Sequence, residues 1–224
     1  MVRKSIVIFG SSSEVALELQ KILKEKNFDF YSISRSEVEI NLSNFTHVDE
    51  YLEDYDKIST LFHKLGTTYV IFFNGFLAEN RDKQIPSISD IKKTDYLNFL
   101  VPYELSKKLN TDFSNINKFI YISSMSAIRP RYKNYLYGIS KRKLEDSIQF
   151  LGLKSYMILR FGKIKTKMSE GHKDAPFTMS AEDSAKVIFN KLEKTGIVYA
   201  NIGLYIISVI MKMIPTFLLK RINL

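Results

Sequence analysis

The sequence predicts an α/β fold: a doubly wound parallel sheet with helices on both faces, built as a single domain. Short apolar runs rich in Ile, Val, Phe and Tyr alternate along the chain with longer amphipathic segments. Parallel strands covered on both faces need such runs, and strand–helix alternation implies right-handed crossovers. No linker, repeat or low-complexity stretch divides the 224 residues, a length that one hydrophobic core can serve.

Taken in order, strands are expected at 5–9, 28–34, 68–73, 117–123, 154–160 and 196–200, with a shorter one at 37–40. Helices are expected at 13–26, 46–64, 88–109, 135–152 and 181–194. The last opens on Ser180-Ala181-Glu182-Asp183, a capping pattern with an extra acid in the first turn. Residues 1–200 make the body of the domain, and 201–224 an apolar helical extension of it.

Composition narrows the function classes. With 45% hydrophobic and 25% charged residues the chain is globular, not disordered. It has no cysteine, which excludes disulfides and thiolate metal sites. The histidines, His47, His63 and His172, lie far apart, so no metal is expected. The net charge is +9, but basic and acidic residues are interspersed along most of the chain. That pattern argues for solubility and against a nucleic-acid partner. The first apolar run, Ser5 to Phe9, is too short for a signal-peptide core, and a cytoplasmic protein is expected.

Two stretches carry the chemistry. The first strand runs into Gly10-Ser11-Ser12-Ser13-Glu14-Val15-Ala16 and then a helix. A tight strand-to-helix turn aims backbone N–H groups and a helix dipole at one point, which suits a pyrophosphate. An ordinary strand–turn–helix corner has the same local pattern, and only one of the three fingerprint glycines is present. The second strand ends at Ser34-Arg35, where dinucleotide folds place an acid on the ribose 2′-hydroxyl. An arginine there can pair with a 2′-phosphate, favouring NADP(H) over NAD(H); a solvated arginine is the other reading.

The second stretch begins at Phe119 and delivers Ser123 and Ser124 to the carboxyl end of a strand. Thirteen residues after Ser124 comes Tyr137, followed four residues later by Lys141 on the same helix face. A free phenol titrates near ~10, and a neighbouring ammonium and an oxidised nicotinamide ring are both expected to lower that value toward working pH. Ser124 then donates a hydrogen bond to a carbonyl oxygen while Tyr137 passes it a proton. The Tyr-x-x-x-Lys spacing recurs at Tyr103 and Lys107, but that pair follows no strand and has Asp90 thirteen residues upstream.

With Ser124, Tyr137 and Lys141 in place, the chain resembles the short-chain dehydrogenase/reductases over nearly its whole length. The resemblance implies a Rossmann-like fold and hydride transfer between a nicotinamide cofactor and a small carbonyl or alcohol substrate. It assigns Asn98 to the proton relay, and Lys141 to the ribose as well as to the tyrosine. It places Asn41 and Leu42 beside the adenine, Asn74 and Gly75 after the fourth strand, and Gly162, Ile164 and Thr166 at the nicotinamide. Gly10, Ser12, Ser13 and Val15 would hold the phosphates. A homo-oligomer is implied too. Glu14 and Ala16 depart from the family's glycines, and Phe161 from its proline. A carboxylate at Glu14 crowds a pyrophosphate unless it points away. These departures keep an alternative open: a dinucleotide-binding sensor or scaffold with little catalytic activity. A sugar epimerase is disfavoured, because only about 60 residues follow Gly162.

From Asn201 the composition turns apolar. Three readings stand for residues 202–221: a helix on the substrate cleft or a subunit partner, an interfacial helix on an anionic membrane with Lys220 and Arg221 at the headgroups, or a span. The apolar run before Lys212 is short for a span. Residues 167–180 read as a lid over an apolar pocket.

Overall fold

A computed structural model describes residues 4–37, 43–78, 86–130, 134–171 and 173–214. Its frame is one parallel sheet of seven strands in the order β3-β2-β1-β4-β5-β6-β9. These are β1 (Ser5–Phe9), β2 (Asp29–Ser34), β3 (Phe45–His47), β4 (Thr68–Phe72), β5 (Ile116–Ser124), β6 (Tyr156–Phe161) and β9 (Gly196–Tyr199). A second, two-stranded sheet pairs β7 (Ile164–Lys165) with β8 (Met179–Ser180). The helices are α1 (Glu14–Glu25), α2 (Tyr55–Phe62), α3 (Ile88–Asp95), α4 (Val101–Asp112), α5 (Tyr135–Ile148), α6 (Ala181–Asn190) and α7 (Ile202–Met213).

Successive strand residues face opposite sides, and in β1 both sides are buried. Ile6 and Ile8 join the core beneath α1 and α6, while Val7 and Phe9 join the core with residues of α2, α4 and α5. The second core is braced by an aromatic ladder across three strands. Phe9 stacks on Phe72 at 5.0 Å, and Phe72 on Tyr121 at 5.4 Å.

The chain winds outward through β1, β2 and β3, then returns to build β4, β5 and β6 on the other side. The order therefore reverses between β1 and β4, and a crevice opens beyond their carboxyl ends. Gly10 leaves β1 there, and Phe73-Asn74-Gly75 leaves β4.

Two expected elements need correction. The segment 46–64 is not one helix: Phe45–His47 pairs with Ser32–Ser34, and the helix starts only at Tyr55. Its first residues are claimed by the free edge of β2, so tertiary pairing overrides local periodicity. The segment 88–109 is not regular either, because a π-turn at Tyr96–Leu100 separates α3 from α4. The strand expected at 37–40 falls largely outside the described residues, as do Asn41 and Leu42.

Candidate active site

At the phosphate end, Gly10 has a φ of +70°, a conformation that side-chain-bearing residues rarely adopt. A Cβ there would stand 2.8 Å from the backbone N of Asn74. The turn thus packs directly against the segment after β4. Ser13 caps α1 by accepting from Ala16 N at 3.3 Å, leaving the other first-turn N–H groups directed at the crevice. Val15 is buried under the turn, and Ser12 is exposed above it.

Gln20, which sequence reading passed over, anchors this corner from below. Its Nε2 donates to Ser11 O at 2.8 Å, and its Oε1 accepts from Ser32 Oγ at 2.9 Å. Glutamine one helical turn inside an amphipathic helix looks like a surface residue in sequence; here it is fully buried.

Glu14, the departure that threatened the pyrophosphate, turns sideways. Its carboxylate accepts from the backbone N of Lys167 at 2.7 Å, bridging the turn to the segment after β7. Ser34 is buried and donates to the carbonyl of Ser36, so its hydroxyl is already engaged. Arg35 is exposed at the end of β2, 3.6 Å from Glu50 and over the ring of Tyr51. The Tyr51 hydroxyl lies within hydrogen-bond reach of Gly10 and Asn74, and burial pushes its pKa up.

At the reaction end, β5 carries Ser124 to the crevice and α5 brings Tyr137 and Lys141 to meet it. The Ser124 hydroxyl lies beside the Tyr137 phenol and acts to lower its pKa, and Ser124 Oγ accepts from Ser126 N at 3.2 Å. The Lys141 ammonium is buried, donates to Ile122 O at 3.0 Å and to Asn74 O at 3.4 Å, and sits 5.9 Å from the Tyr137 ring centre.

The Lys141 ammonium alone does not lower the phenol's pKa in this arrangement. Burial pushes Tyr137 up to about 12, the Ser124 hydroxyl opposes that, and the Glu145 carboxylate adds to it. Burial lowers Lys141 to about 8, with Glu145 again acting in the raising direction. Desolvation outweighs the ammonium because Lys141 spends its protons on two carbonyls and not on the phenol.

Asn98 lies in the π-turn, fully buried. Its Oδ1 accepts from Phe76 N at 3.2 Å, and its Nδ2 donates to Phe76 O at 2.7 Å and Thr94 O at 2.9 Å. A Cβ on Gly75 would stand 3.1 Å from that Oδ1 and 3.9 Å from Lys141 Nζ, so the glycine lets asparagine and lysine approach one another. The sequence signal for the π-turn is Pro102, which has no N–H to give the Asn98 carbonyl one turn earlier.

Behind these residues lies a buried network that sequence reading missed. Glu145 forms a salt bridge with Arg160, accepts from Ser123 Oγ at 2.6 Å, and Arg160 reaches Tyr199 Oη at 2.7 Å. It ties α5, β5, β6 and β9 together directly beneath Ser124 and Lys141. The i,i+4 spacing of Lys141 and Glu145 was its only visible trace.

Gly162 leaves β6 against the Leu204 side chain, Ile164 pairs with Met179, and Thr166 opens a short 3₁₀ turn, Lys167–Ser169. The structure therefore gathers Asn98, Ser124, Tyr137, Lys141, Asn74 and Gly75 at one end of the crevice. Gly10, Ser13 and Glu14 stand at the other end, with Arg35 at its rim.

No family model matches this chain, and no curated protein matches it in sequence. Solved structures do match it in shape. A short-chain dehydrogenase from Burkholderia cenocepacia J2315, in complex with NADP, superposes with a TM-score of 0.76 at 13% identity, covering 100% of both chains. A 3-oxoacyl-[acyl-carrier protein] reductase from Brucella melitensis, in complex with NAD, gives 0.73 at 17% identity, covering 92% of this chain and 98% of its own. A short-chain dehydrogenase/reductase from Vibrio parahaemolyticus gives 0.70 at 21% identity, over 88% and 96%. This chain has the fold those proteins share.

Proposed function

We propose that this protein is a short-chain dehydrogenase/reductase: an NAD(P)(H)-dependent oxidoreductase acting on a carbonyl or alcohol. The observation that carries the reading is the convergence of Ser124, Tyr137 and buried Lys141 beyond the strand ends, beside the reversal of strand order. A nicotinamide dinucleotide, when bound, supplies or accepts the hydride.

The residues present fit such a group. Among the described residues, four buried side-chain atoms have no hydrogen-bond partner: Thr94 Oγ1, Asn134 Oδ1 and, facing the cradle, Ser11 Oγ at the phosphate turn and Asn74 Oδ1 across from it. Gly10 and Gly75 let the phosphate turn, Asn74, Asn98 and Lys141 pack closely around that cradle. Gly10, Ser12, Ser13 and Val15 would hold the phosphates, Asn74 and Gly75 the middle, and Gly162, Ile164 and Thr166 the nicotinamide end.

The protein's own part is proton handling. With its pKa near 12, the Tyr137 phenol keeps its proton at neutral pH and is ready to give it to a carbonyl oxygen. Ser124, beside that phenol, donates to the same oxygen. Lys141 holds its ammonium between Ile122 O and Asn74 O, anchoring the ribose side and replacing the proton that Tyr137 gives up. Asn98, locked on Phe76 and Thr94, fixes the wall through which that proton arrives.

Arg35 stands free enough on the rim to take a 2′-phosphate, which would displace the 3.6 Å contact to Glu50. NADP(H) is therefore the favoured cofactor. Parallel calorimetric titrations of the full chain with NADPH and NADH test this. Tighter NADPH binding, abolished in Arg35→Ala, is expected. Preference for NADH overturns the Arg35 assignment alone. Binding of neither shifts the reading to a scaffold, consistent with Glu14 bridging the phosphate turn to Lys167.

A further inference from the structure

We propose that α7 is a docking helix for an anionic lipid bilayer, lying in the plane of its surface and setting the mouth of the active-site crevice against it. The helix is apolar on both sides. Leu204 and Ser208 are buried, and Ile207 and Met211 pack on the core beneath. Ile202, Tyr205, Ile206, Val209, Ile210 and Met213 face outward, with Ile202 73% and Met213 78% exposed.

Those six recur at spacings of three and four and form one continuous stripe. Lys212 is the only polar residue among the exposed positions of α7. By contrast, α1 shows Lys21, Lys24 and Glu25 to solvent. A water-facing helix wholly apolar on its outer side marks an interaction surface, and its apolar area must be covered by something.

Charge selects what covers it. From Asn201 to the end of the chain there is no Asp or Glu, while Lys212, Lys220 and Arg221 are all basic. Anionic headgroups complement such a segment, each nearby cation contributing favourably. A second copy of the chain would bring two such segments together with like charges. No helix among the described residues is long and apolar enough to cross a membrane. Twelve residues cover about 18 Å, enough to lie in the interface.

The position of α7 gives the docking a purpose. Leu204 abuts Gly162, the Phe177 ring lies where a Cβ on Gly203 would fall, and Arg129, five residues after Ser124, donates to Ile214 O at 2.9 Å. The helix thus bridges the loops after β5 and β6, at the carboxyl end of the sheet where Ser124 sits. Phe177 and Met168, both exposed, extend the apolar surface from α7 over the lid, and Met168 Cε reaches 3.9 Å from where a Gly75 Cβ would be. Resting on the oxidoreductase reading above, this geometry assigns the site a membrane-borne substrate: a long-chain or lipid-linked carbonyl or alcohol entering from the bilayer.

The test compares the full chain with an Ile206→Glu/Ile210→Glu variant, which changes only outward side chains. Both are floated with vesicles of phosphatidylglycerol and phosphatidylcholine, and with phosphatidylcholine alone. The wild type should float with the anionic vesicles and lose them at high salt. The variant should bind more than about tenfold less, with unchanged melting temperature and NADPH affinity. A wild type that stays at the bottom, or a variant that floats equally well, overturns the docking. So does a concentration-dependent dimer in gel filtration that the variant abolishes while neither protein floats. For the substrate, a long-chain aldehyde carried in vesicles should be reduced faster by the wild type, and a short soluble aldehyde equally by both. Equal rates on the vesicle-borne aldehyde overturn the substrate assignment. Absence of turnover on both aldehydes overturns the oxidoreductase reading, with docking still decided by flotation.

Discussion

The two ends of the crevice are built on different terms. At the reaction end most polar groups are committed to one another: Asn98 to Phe76 and Thr94, Lys141 to Ile122 and Asn74, Ser124 to Ser126, and Glu145 with Arg160 below, with Thr94 Oγ1 and Asn134 Oδ1 left over. At the phosphate end, groups are left over. Ser11 Oγ is buried without a partner, as is Asn74 Oδ1 where the two ends meet, and Glu14 reaches across to the Lys167 backbone. Unmatched buried polar atoms cost stability, roughly 1–3 kcal/mol each, unless a ligand completes them. A rigid reaction end beside an incomplete phosphate end is what a protein needs if its catalytic groups are fixed in advance and its cofactor arrives afterwards.

The sharpest way to break this contrast is to remove one hydroxyl from the rigid end. Tyr137→Phe keeps the ring and its packing but deletes the proton that the phenol holds at neutral pH. Steady-state NADPH oxidation with a carbonyl substrate should fall by about 10²–10⁴-fold. Calorimetric affinity for NADPH should stay near that of the wild type, since the phosphate end is untouched. Turnover that survives the substitution would show that the proton comes from elsewhere.

Lys141 tests the rigidity itself. Burial holds its ammonium at a pKa of about 8 in the folded chain, against 10.5 for the free side chain. Between those values the unfolded chain binds more protons than the folded one, so stability rises as pH increases from about 8 toward 10. Below pH 8 the full cost of the buried charge is present; the difference of about 2.5 units corresponds to about 3 kcal/mol. Lys141→Met lacks this dependence. Urea unfolding should find the wild type gaining about 2–3 kcal/mol on the variant between pH 7 and pH 10. Above pH 10, Tyr137 acts the other way, because only the unfolded phenol ionises there. A constant gap across that range would mean that Lys141 is not held in a desolvated site.

The same contrast explains what the sequence made legible. Strand positions were readable because parallel strands buried on both faces need unbroken apolar runs, and β1, β4, β5 and β6 have them. Ser124, Tyr137 and Lys141 were readable because strand end and helix turn fix their relative placement through local spacing. The missed features arise from distant pairings. β3 is three residues recruited by the edge of β2, and Gln20, Glu145 and Arg160 look like surface residues until the helices dock. The ammonium's own contribution was hidden for a related reason: spacing puts Lys141 near Tyr137, but only tertiary structure shows its protons bonded to Ile122 and Asn74.

Glu14 is where the phosphate end can be sharpened, and the expected effect is the smallest. Its carboxylate sits in the first turn of α1, where it interacts favourably with the helix dipole, and it also accepts from Lys167 N. A pyrophosphate uses the same N-terminus and is repelled by that charge. Glu14→Gln keeps the shape and an oxygen for Lys167 N while removing the charge. The repulsion between near-surface charges a few ångströms apart is about 1 kcal/mol, so NADPH should bind about fivefold tighter to the variant. The gain should shrink as salt rises, because exposed charges are screened. The melting temperature should change little, the lost dipole interaction being only about 0.5 kcal/mol. Unchanged affinity would place the phosphates away from α1. Weaker affinity would mean that the charged bridge to Lys167 organises the nicotinamide-side segment before the cofactor arrives, and the phosphate end would then be less unfinished than its orphaned atoms make it.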